Sequence, residues 1–551
     1  MTRRRQSRYI TVLATAAVVS VLVYLFPDVP RAKRPKTLQA QSPGVSKSPR
    51  VFSGSRPATN RRPDSGGQDG AQFLEDVWQV IYLHGRRIGY SRTVFERLTE
   101  GSEIRIRTTT EMQMSFKRFG QVTQMRSVMR TVETAAGDLL SFESENGKGR
   151  RKTRMTGRLS RGRMIVETFA DGRRGKRVYD WRDGIKSPTY QDRLVRTFPM
   201  KPGEIRRFKT FLPELGRVTE VRLSAGDFRN KRLHTGRRRK LLRVRVTQSV
   251  SPTEVVYAYL DKNGLPVVTE SEMVGSTLAH YTVSRAEALK AMQGAELDLG
   301  LKTVIRTARI KKPRKQTRIV YRIAMTNDDP AKYLAADDRQ TIRRIDKRTI
   351  ELAVTASKLP RRNVHVRIDQ EFLAPSRTLQ TNDRRVREHA RRAAGYQTDP
   401  AKIARAVERY VSKKLTNKNF STAMATAADV ARDMQGDCTE HAVLMAAMLR
   451  TRRVASRIAI GLVYDEWLPG FVSHMWTEAW IDGHWVAFDA TRGEGKVGPT
   501  HIKLSDASFS DKSAAPVTAF LPLMNVIGKW RIDVLDTGER IADPRDRFPR
   551  R

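Results

Sequence analysis

Residues 104–117, IRIRTTTEMQMSFK, change character at every step. Ile104, Ile106, Thr108, Thr110, Met112, Met114 and Phe116 fall on one parity, and Arg105, Arg107, Thr109, Glu111, Gln113, Ser115 and Lys117 on the other. A period of two is the signature of a strand with one buried and one solvated face. A run this long cannot be a helix without scattering its apolar residues around the whole circumference. It commits the chain to an antiparallel sheet.

Turn residues recur at intervals on both sides of this run, at Gly85, Gly101, Gly120, Gly137, Asp171-Gly172 and Asn263-Gly264. They predict one large antiparallel β domain over 73–290, a scaffold or a cradle for a lipid or partner. Residues 300–375 read as a smaller β-rich region, with strands near 317–325 and 349–356.

From Asp383 the period becomes helical. Residues 384–394, 400–415 and 423–434 are helix candidates, the second opened by Asp399 as N-cap and Pro400 at the first helical position. After Arg457 strands return, at 457–464, 474–481 and 485–490. Helices followed by strands in one compact unit indicate an α+β domain over 380–500, followed by an extension over 501–551.

The only cysteine of the chain, Cys438, lies in this domain, in GDCTEHAVL. Asp437 and Glu440 have the spacing of a capping box, which makes Cys438 the first residue of a helix. The following AVLMAAML is apolar on all sides, so the helix is buried. The unpaired N–H groups and the positive end of the dipole favour a thiolate at that position. The bland alternative is a small, inert core residue.

A nucleophilic thiol needs a base, and the base needs a partner that orients it. His441 is on the same helix; His474 is 36 residues further on. In HMWTEAWIDGHWVAFDA, residues 474–490, Asp482-Gly483 signals a two-residue type I′ turn. That turn pairs Ile481 with His484, Trp480 with Trp485 and Glu478 with Ala487, which sets Asp489 opposite Trp476 and diagonal to His474. Diagonal neighbours on one face are within reach of each other. The candidate catalytic set is therefore Cys438, His474 and Asp489, with a thioester as the intermediate. The Cys438 N–H is the first oxyanion donor, and Asn419 and Gln435 are candidates for the second. Trp476 is a candidate wall of the acyl-donor cleft; alternatively Trp476, Trp480 and Trp485 simply pack on the helix. A rival chemistry is zinc held by Cys438, His441, His474 and Asp489, although a second cysteine is missing. No metal or cofactor enters the main reading.

The segments GDCTEHAVLMAAMLRTRRVASRIAIGLVY and SHMWTEAWIDGHWVAFDAT resemble the core of bacterial transglutaminase-like proteins, over about residues 380–500. The resemblance implies a papain-like α+β fold and a Cys–His–Asp triad, which falls on Cys438, His474 and Asp489. Arg452-Arg453-Val454 departs from the Gly-Ile/Val-Pro-type turn usual there. Residues 73–300 resemble β-rich extensions that precede such domains in large bacterial envelope proteins. The family includes peptidases, amidases and protein cross-linkers, so the resemblance leaves the acyl acceptor open.

At the start of the chain, arginines within 1–8 precede 18 uncharged residues, 9–26. A helix of that length spans roughly 27 Å, enough for a bilayer core. The expectation is a transmembrane anchor with residues 1–8 cytoplasmic, a disordered Pro/Ser/Arg-rich tether over 27–72, and the bulk periplasmic or otherwise extracytoplasmic. The formal charge of +46 suits an anionic polymer. No nucleic-acid-binding motif accompanies it. The sequence thus points to a membrane-anchored thiol enzyme acting on an amide bond of a protein or peptide. The alternative is a non-catalytic envelope scaffold whose basic β domain holds an anionic polymer or a protein partner.

Overall fold

The computed structural model describes residues 71–118, 121–147, 153–170, 173–273, 275–290, 297–298, 301, 303–360, 366–416, 425–495, 497–511 and 516–537. Within them a 15-stranded sheet takes up the first half of the chain. It consists of two meanders. One runs from Ala71–Leu83 outward to Arg173–Asp180; the other runs from Ile185–Lys186 back to Ser276–Val283. They join where Ser276–Val283 pairs antiparallel with Ala71–Leu83, Trp78 opposite Val283 and Leu83 opposite Leu278.

The alternating run lies in the strand Glu103–Arg118. Ile106, Thr108, Thr110, Met112, Met114 and Phe116 are all buried, as the period requires. The sheet curls back on itself: Asp138 forms a bridge with Lys186, and the Ser187 N–H donates to Gly137 O at 2.9 Å. Leu139, Phe142, Met164, Val166, Ile185 and Phe211 fill the curl. Gly157 makes room for it, since a Cβ there would sit 1.9 Å from the Phe142 ring.

Two smaller sheets follow. One has the strand order Gln340–Asp346, Thr349–Thr355, Arg318–Met325, Trp530–Asp536. The other has the order Ile305–Arg306, Gly470–Ile481, Ser456–Asp465, His501–Ala507, with His484–Phe488 paired to Gly470–Ile481. Each therefore takes a strand from beyond residue 500. The helices Arg384–Ala394, Pro400–Lys414 and Ala427–Asp433 pack around a fourth, Cys438–Thr451, which lies on the strand Gly470–Ile481. The expected N-caps are formed by Asp399 and Asp437, and Asp383 caps the helix Arg384–Ala394 as well. Arg453 turns the chain after the fourth helix at φ 59°, a left-handed conformation in which glycine is usual.

Two expectations are corrected. The fold is mostly β, 51% strand and 19% helix, rather than α+β with a membrane helix. The helical unit is real, but three sheets outweigh it. Crossing a bilayer takes about 20 apolar residues. Among the described residues the longest helix, Pro400–Lys414, has 15 residues, and the apolar Cys438–Thr451 has 14. None is long and apolar enough to cross a membrane, so single-pass membrane placement has no support. The anchor expected at 9–26 and the cytoplasmic N-terminus expected at 1–8 lie outside the described residues, as does the tether up to residue 70. Residues 71 and 72 already belong to the first strand.

Candidate active site

The helix that begins at Cys438 is fixed by its own first turn. Asp437 Oδ1 accepts the Thr439 N–H at 2.9 Å and the Thr439 hydroxyl at 2.8 Å. Glu440 reaches back: Oε2 accepts the Asp437 N–H at 2.9 Å, and Oε1 accepts the Ala425 N–H at 2.8 Å. This is the capping box read from the sequence. Gly436, at φ 147°, is part of the same arrangement, because a Cβ there would lie 2.4 Å from Glu440 Cβ and Cγ. Cys438 is fully buried.

Two bonds set the height of this helix on the strand Gly470–Ile481. The Thr477 hydroxyl donates to Ala442 O at 3.0 Å, and the Ser456 hydroxyl, from the residue opposite Ala479, donates to Ala446 O at 2.9 Å. Helix and strand therefore run the same way. Four residues back from Ala442 is about 6 Å, close to the length of two strand residues back from Thr477. Cys438 thus lies level with Met475, next to His474 in the chain.

The hairpin has the register expected of it. Asp482 and Gly483 take φ 48° and 82°, and Ile481–His484, Trp480–Trp485 and Glu478–Ala487 are paired. His474 Nε2 meets Asp489 Oδ2 at 2.8 Å, with both side chains buried. A third side chain joins them: His501 Nε2 lies 3.1 Å from the same oxygen. A carboxylate oxygen can only accept, so each imidazole carries its proton on Nε2. Asp489 Oδ1 accepts the N–H groups of Thr491 at 2.9 Å and Arg492 at 3.3 Å. Burial alone would raise the pKa of Asp489. The charge and hydrogen bond of His474, and those of His501, outweigh it and hold the carboxyl well below the usual range. Burial pushes His501 below the usual histidine pKa, against the pull of Asp489.

Behind Asp489 lies another carboxylate. Glu408, on the helix Pro400–Lys414, accepts the Asp489 N–H on Oε1 at 3.3 Å. Burial, then repulsion from Asp489, push its pKa up to about 7. Below the histidines, the fully buried Lys503 Nζ joins Glu478 at 2.8 Å and Asp506 at 2.9 Å. Burial would raise the pKa of Glu478, but Lys503 and Arg457 bring it below the ordinary value.

The other sequence candidates are placed as follows. His441 Nδ1 donates to Asp437 O on its own helix at 2.7 Å and is buried. It does not join His474 and Asp489, so the zinc set Cys438–His441–His474–Asp489 is not assembled. Among the described residues, the His/Cys/Asp/Glu group close enough to hold a metal is His474, Asp489 and His501. Its nitrogens already share one carboxylate oxygen through protons, which is a hydrogen-bonded relay rather than an open ligand set. Gln435 is half-buried, just before Gly436. Asn419 lies outside the described residues.

Trp476 is buried, stacked on His474 at 6.2 Å and edge-on to His501 at 5.5 Å, with Ala459, Ala487 and Val497 around it. It walls the two histidines rather than an open cleft. Trp480 and Trp485 pack on each other, and Trp485 also meets Phe372 and Arg457. His501 and Glu408 were absent from the sequence reading. Each left a trace: His501, Lys503 and Ser505 alternate with Ile502 and Leu504, and Glu408 interrupts the buried stripe Ile403, Ala404, Val407, Val411.

Residues 387–490 match the family described as the transglutaminase-like superfamily. No curated protein matches the chain. Among solved structures, a candidate cysteine protease from Cytophaga hutchinsonii is 19% identical, covering 35% of this chain and 80% of its own, with a TM-score of 0.24. A β-barrel-like protein of a domain of unknown function from Brucella abortus is 13% identical, covering 38% of this chain and 98% of its own, with a TM-score of 0.28. A candidate protease from Parabacteroides distasonis is 10% identical, covering 64% of this chain and 67% of its own, with a TM-score of 0.18. Residues 387–490 of this chain are a transglutaminase-like domain.

Proposed function

We propose that the protein cleaves or transfers an amide-linked acyl group of a protein or peptide through a thioester on Cys438. The observation that carries this reading is the 2.8 Å bond from His474 Nε2 to Asp489 Oδ2, on the strand against which the helix bearing the only thiol packs. Asp489 fixes the Nε2–H tautomer, so Nδ1 is the atom that takes the thiol proton. The thiolate, favoured at the helix N-terminus, attacks the amide carbonyl. The Cys438 N–H stabilises the resulting oxyanion, with Gln435 or Asn419 as the second donor. The His474 imidazolium then gives its proton to the leaving amine, and water or a second amine takes the acyl group from sulfur. Hydrolysis is placed ahead of amine transfer. Cys438, His474 and Asp489 are all buried, so substrate entry requires the site to open.

The test is the alkylation rate of the full chain with iodoacetamide as a function of pH, which reports a single thiol. A thiolate–imidazolium pair gives a two-limbed profile with reaction below pH 7. A thiol that fails to react, or titrates once at an ordinary thiol pKa, overturns the reading. So does full turnover by Cys438→Ala on a peptide amide substrate.

A second reading, a non-catalytic scaffold that holds an anionic polymer, draws on the outer face of the large sheet. There Arg207 stands directly opposite Arg222, with Arg245 diagonal to it. All three are exposed, and none has an ion-pair partner among the described residues. Like charges across strands repel unless an anion lies between them. Salt-sensitive retention on heparin, lost in a triple Gln variant, tests this reading.

A further inference from the structure

We infer that His501 is a positioning residue of the same site: it holds the Asp489 carboxylate in the orientation that orients His474. The inference rests on the catalytic reading above, and His501 lies beyond the matched segment 387–490.

The geometry is that of a carboxylate with its accepting directions assigned. Oδ1 takes two backbone N–H groups, those of Thr491 and Arg492. Oδ2 takes two imidazoles, His474 at 2.8 Å and His501 at 3.1 Å. Without His501, Asp489 would keep its Oδ1 contacts yet be free to tilt about them, and His474 would lose the fixed plane of its partner. With His501, Oδ2 has one accepting direction left, and His474 occupies it.

The two histidines come from strands that are not neighbours. Gly470–Ile481 and His501–Ala507 both flank Ser456–Asp465, on which His474 faces Gly461 and His501 faces Val463. Residues paired in this way share a face, so both rings stand on the same side of the sheet. Gly461 contributes no side chain between them, and Trp476 lies in that space, with its Cη2 3.0 Å from where a Gly461 Cβ would be. Trp476 then contacts both imidazoles. The rings lie 5.6 Å apart and tilted at 62°, aimed at one oxygen rather than stacked.

His501 also sets the strength of the relay. A carboxylate that already accepts a second imidazole proton is a weaker acceptor for the first. His501 therefore tempers how strongly Asp489 stabilises the His474 imidazolium. The other ionisable groups around Asp489 are Glu408, whose Oε1 accepts its N–H, and Arg492, which acts on His501. Neither donates a side-chain proton to Oδ2.

The test is the pH profile of Cys438 alkylation in the full chain, wild type against His501→Ala, His501→Phe and His501→Gln. Glutamine places an N–H near the position of Nε2; alanine and phenylalanine place none. Ala and Phe should move the upper limb of the profile to higher pH by about one unit, and Gln should stay within a few tenths of wild type. A solely structural role would lower thermal stability and leave the limbs in place, and such a result overturns the inference. If the Ala variant does not fold, the comparison of Phe with Gln decides alone. Stoichiometric zinc in the purified wild type, removed by a chelator with a change in the profile, also overturns it, since the nitrogens would then be ligands. A wild type without two limbs refutes the catalytic reading itself; two limbs unmoved by the variants refute only the role of His501.

Discussion

Gly461 stands directly opposite His474, and it has no room for a side chain: a Cβ would lie 2.0 Å from Ile502 O and 3.0 Å from Trp476 Cη2. The conflict with Ile502 is with backbone, which cannot swing aside as a flexible side chain can. Gly461→Ala should therefore cost about 1–3 kcal/mol through overpacking and displace Trp476 from the two histidines. A urea midpoint and the tryptophan emission spectrum check this. An unchanged midpoint and spectrum would show that the strands part without strain.

Removing the capping carboxylate has a different signature. Glu440→Ala leaves the N–H groups of Asp437 and Ala425 without their acceptor, at a cost of about 1–3 kcal/mol. It also loosens the turn that carries Cys438, so thiol alkylation should lose its low-pH limb. Equal loss of stability with an unaltered alkylation profile would separate the cap from the thiol.

Asp489→Asn keeps the shape of the side chain and exchanges an acceptor for an amide at the histidines. Turnover should fall by about 10²–10⁴, as for loss of an oriented base. The stability effect has a definite sign. The folded-state pKa of Asp489 is depressed, so its contribution is present above the ordinary carboxylate range and lost as pH falls through the folded value. The variant should accordingly unfold with a flatter pH dependence on the acid side, measured by thermal melts below pH 4.

Glu408 has the opposite sign. Its folded pKa is raised to about 7, so its contribution is complete below its ordinary value of 4.5 and is lost as pH rises toward 7. The effect is on the order of 3 kcal/mol across that window. Glu408→Gln should remove that share of the slope between pH 4.5 and 7, leaving the part due to other buried carboxylates such as Glu75, raised to about 8. Parallel wild-type and variant melting curves across that range would place the titration elsewhere.

Much of the site was legible because it is local. The Asp482-Gly483 turn specifies the pairing of the strands around it, so the approach of Asp489 to His474 follows from counting residues. The cap at Asp437 and Glu440 is visible for the same reason, and so is the alternation from Ile104 to Lys117. What escaped depends on chain meeting chain at a distance. Nothing near His501 says that its strand adds beside Ser456–Asp465, and nothing near Trp530 says that its strand pairs with Arg318–Met325. Glu408 escaped because helical period alone does not reveal that a second carboxylate lies against that face. The excess of strand over helix was visible in the period-two runs before residue 300; the α+β label came from the helical unit alone.

The strand His501–Ala507 forms the flank of the sheet that carries His474, although it follows the segment that bears the family signature. A fragment ending at residue 490 would leave the central strand Ser456–Asp465 with one side unpaired. Its N–H and C=O groups, with the apolar Ile458, Ile460 and Leu462 between them, would become a template for another copy. The recognisable domain is thus smaller than the unit that folds, and cut out by its signature alone it would aggregate.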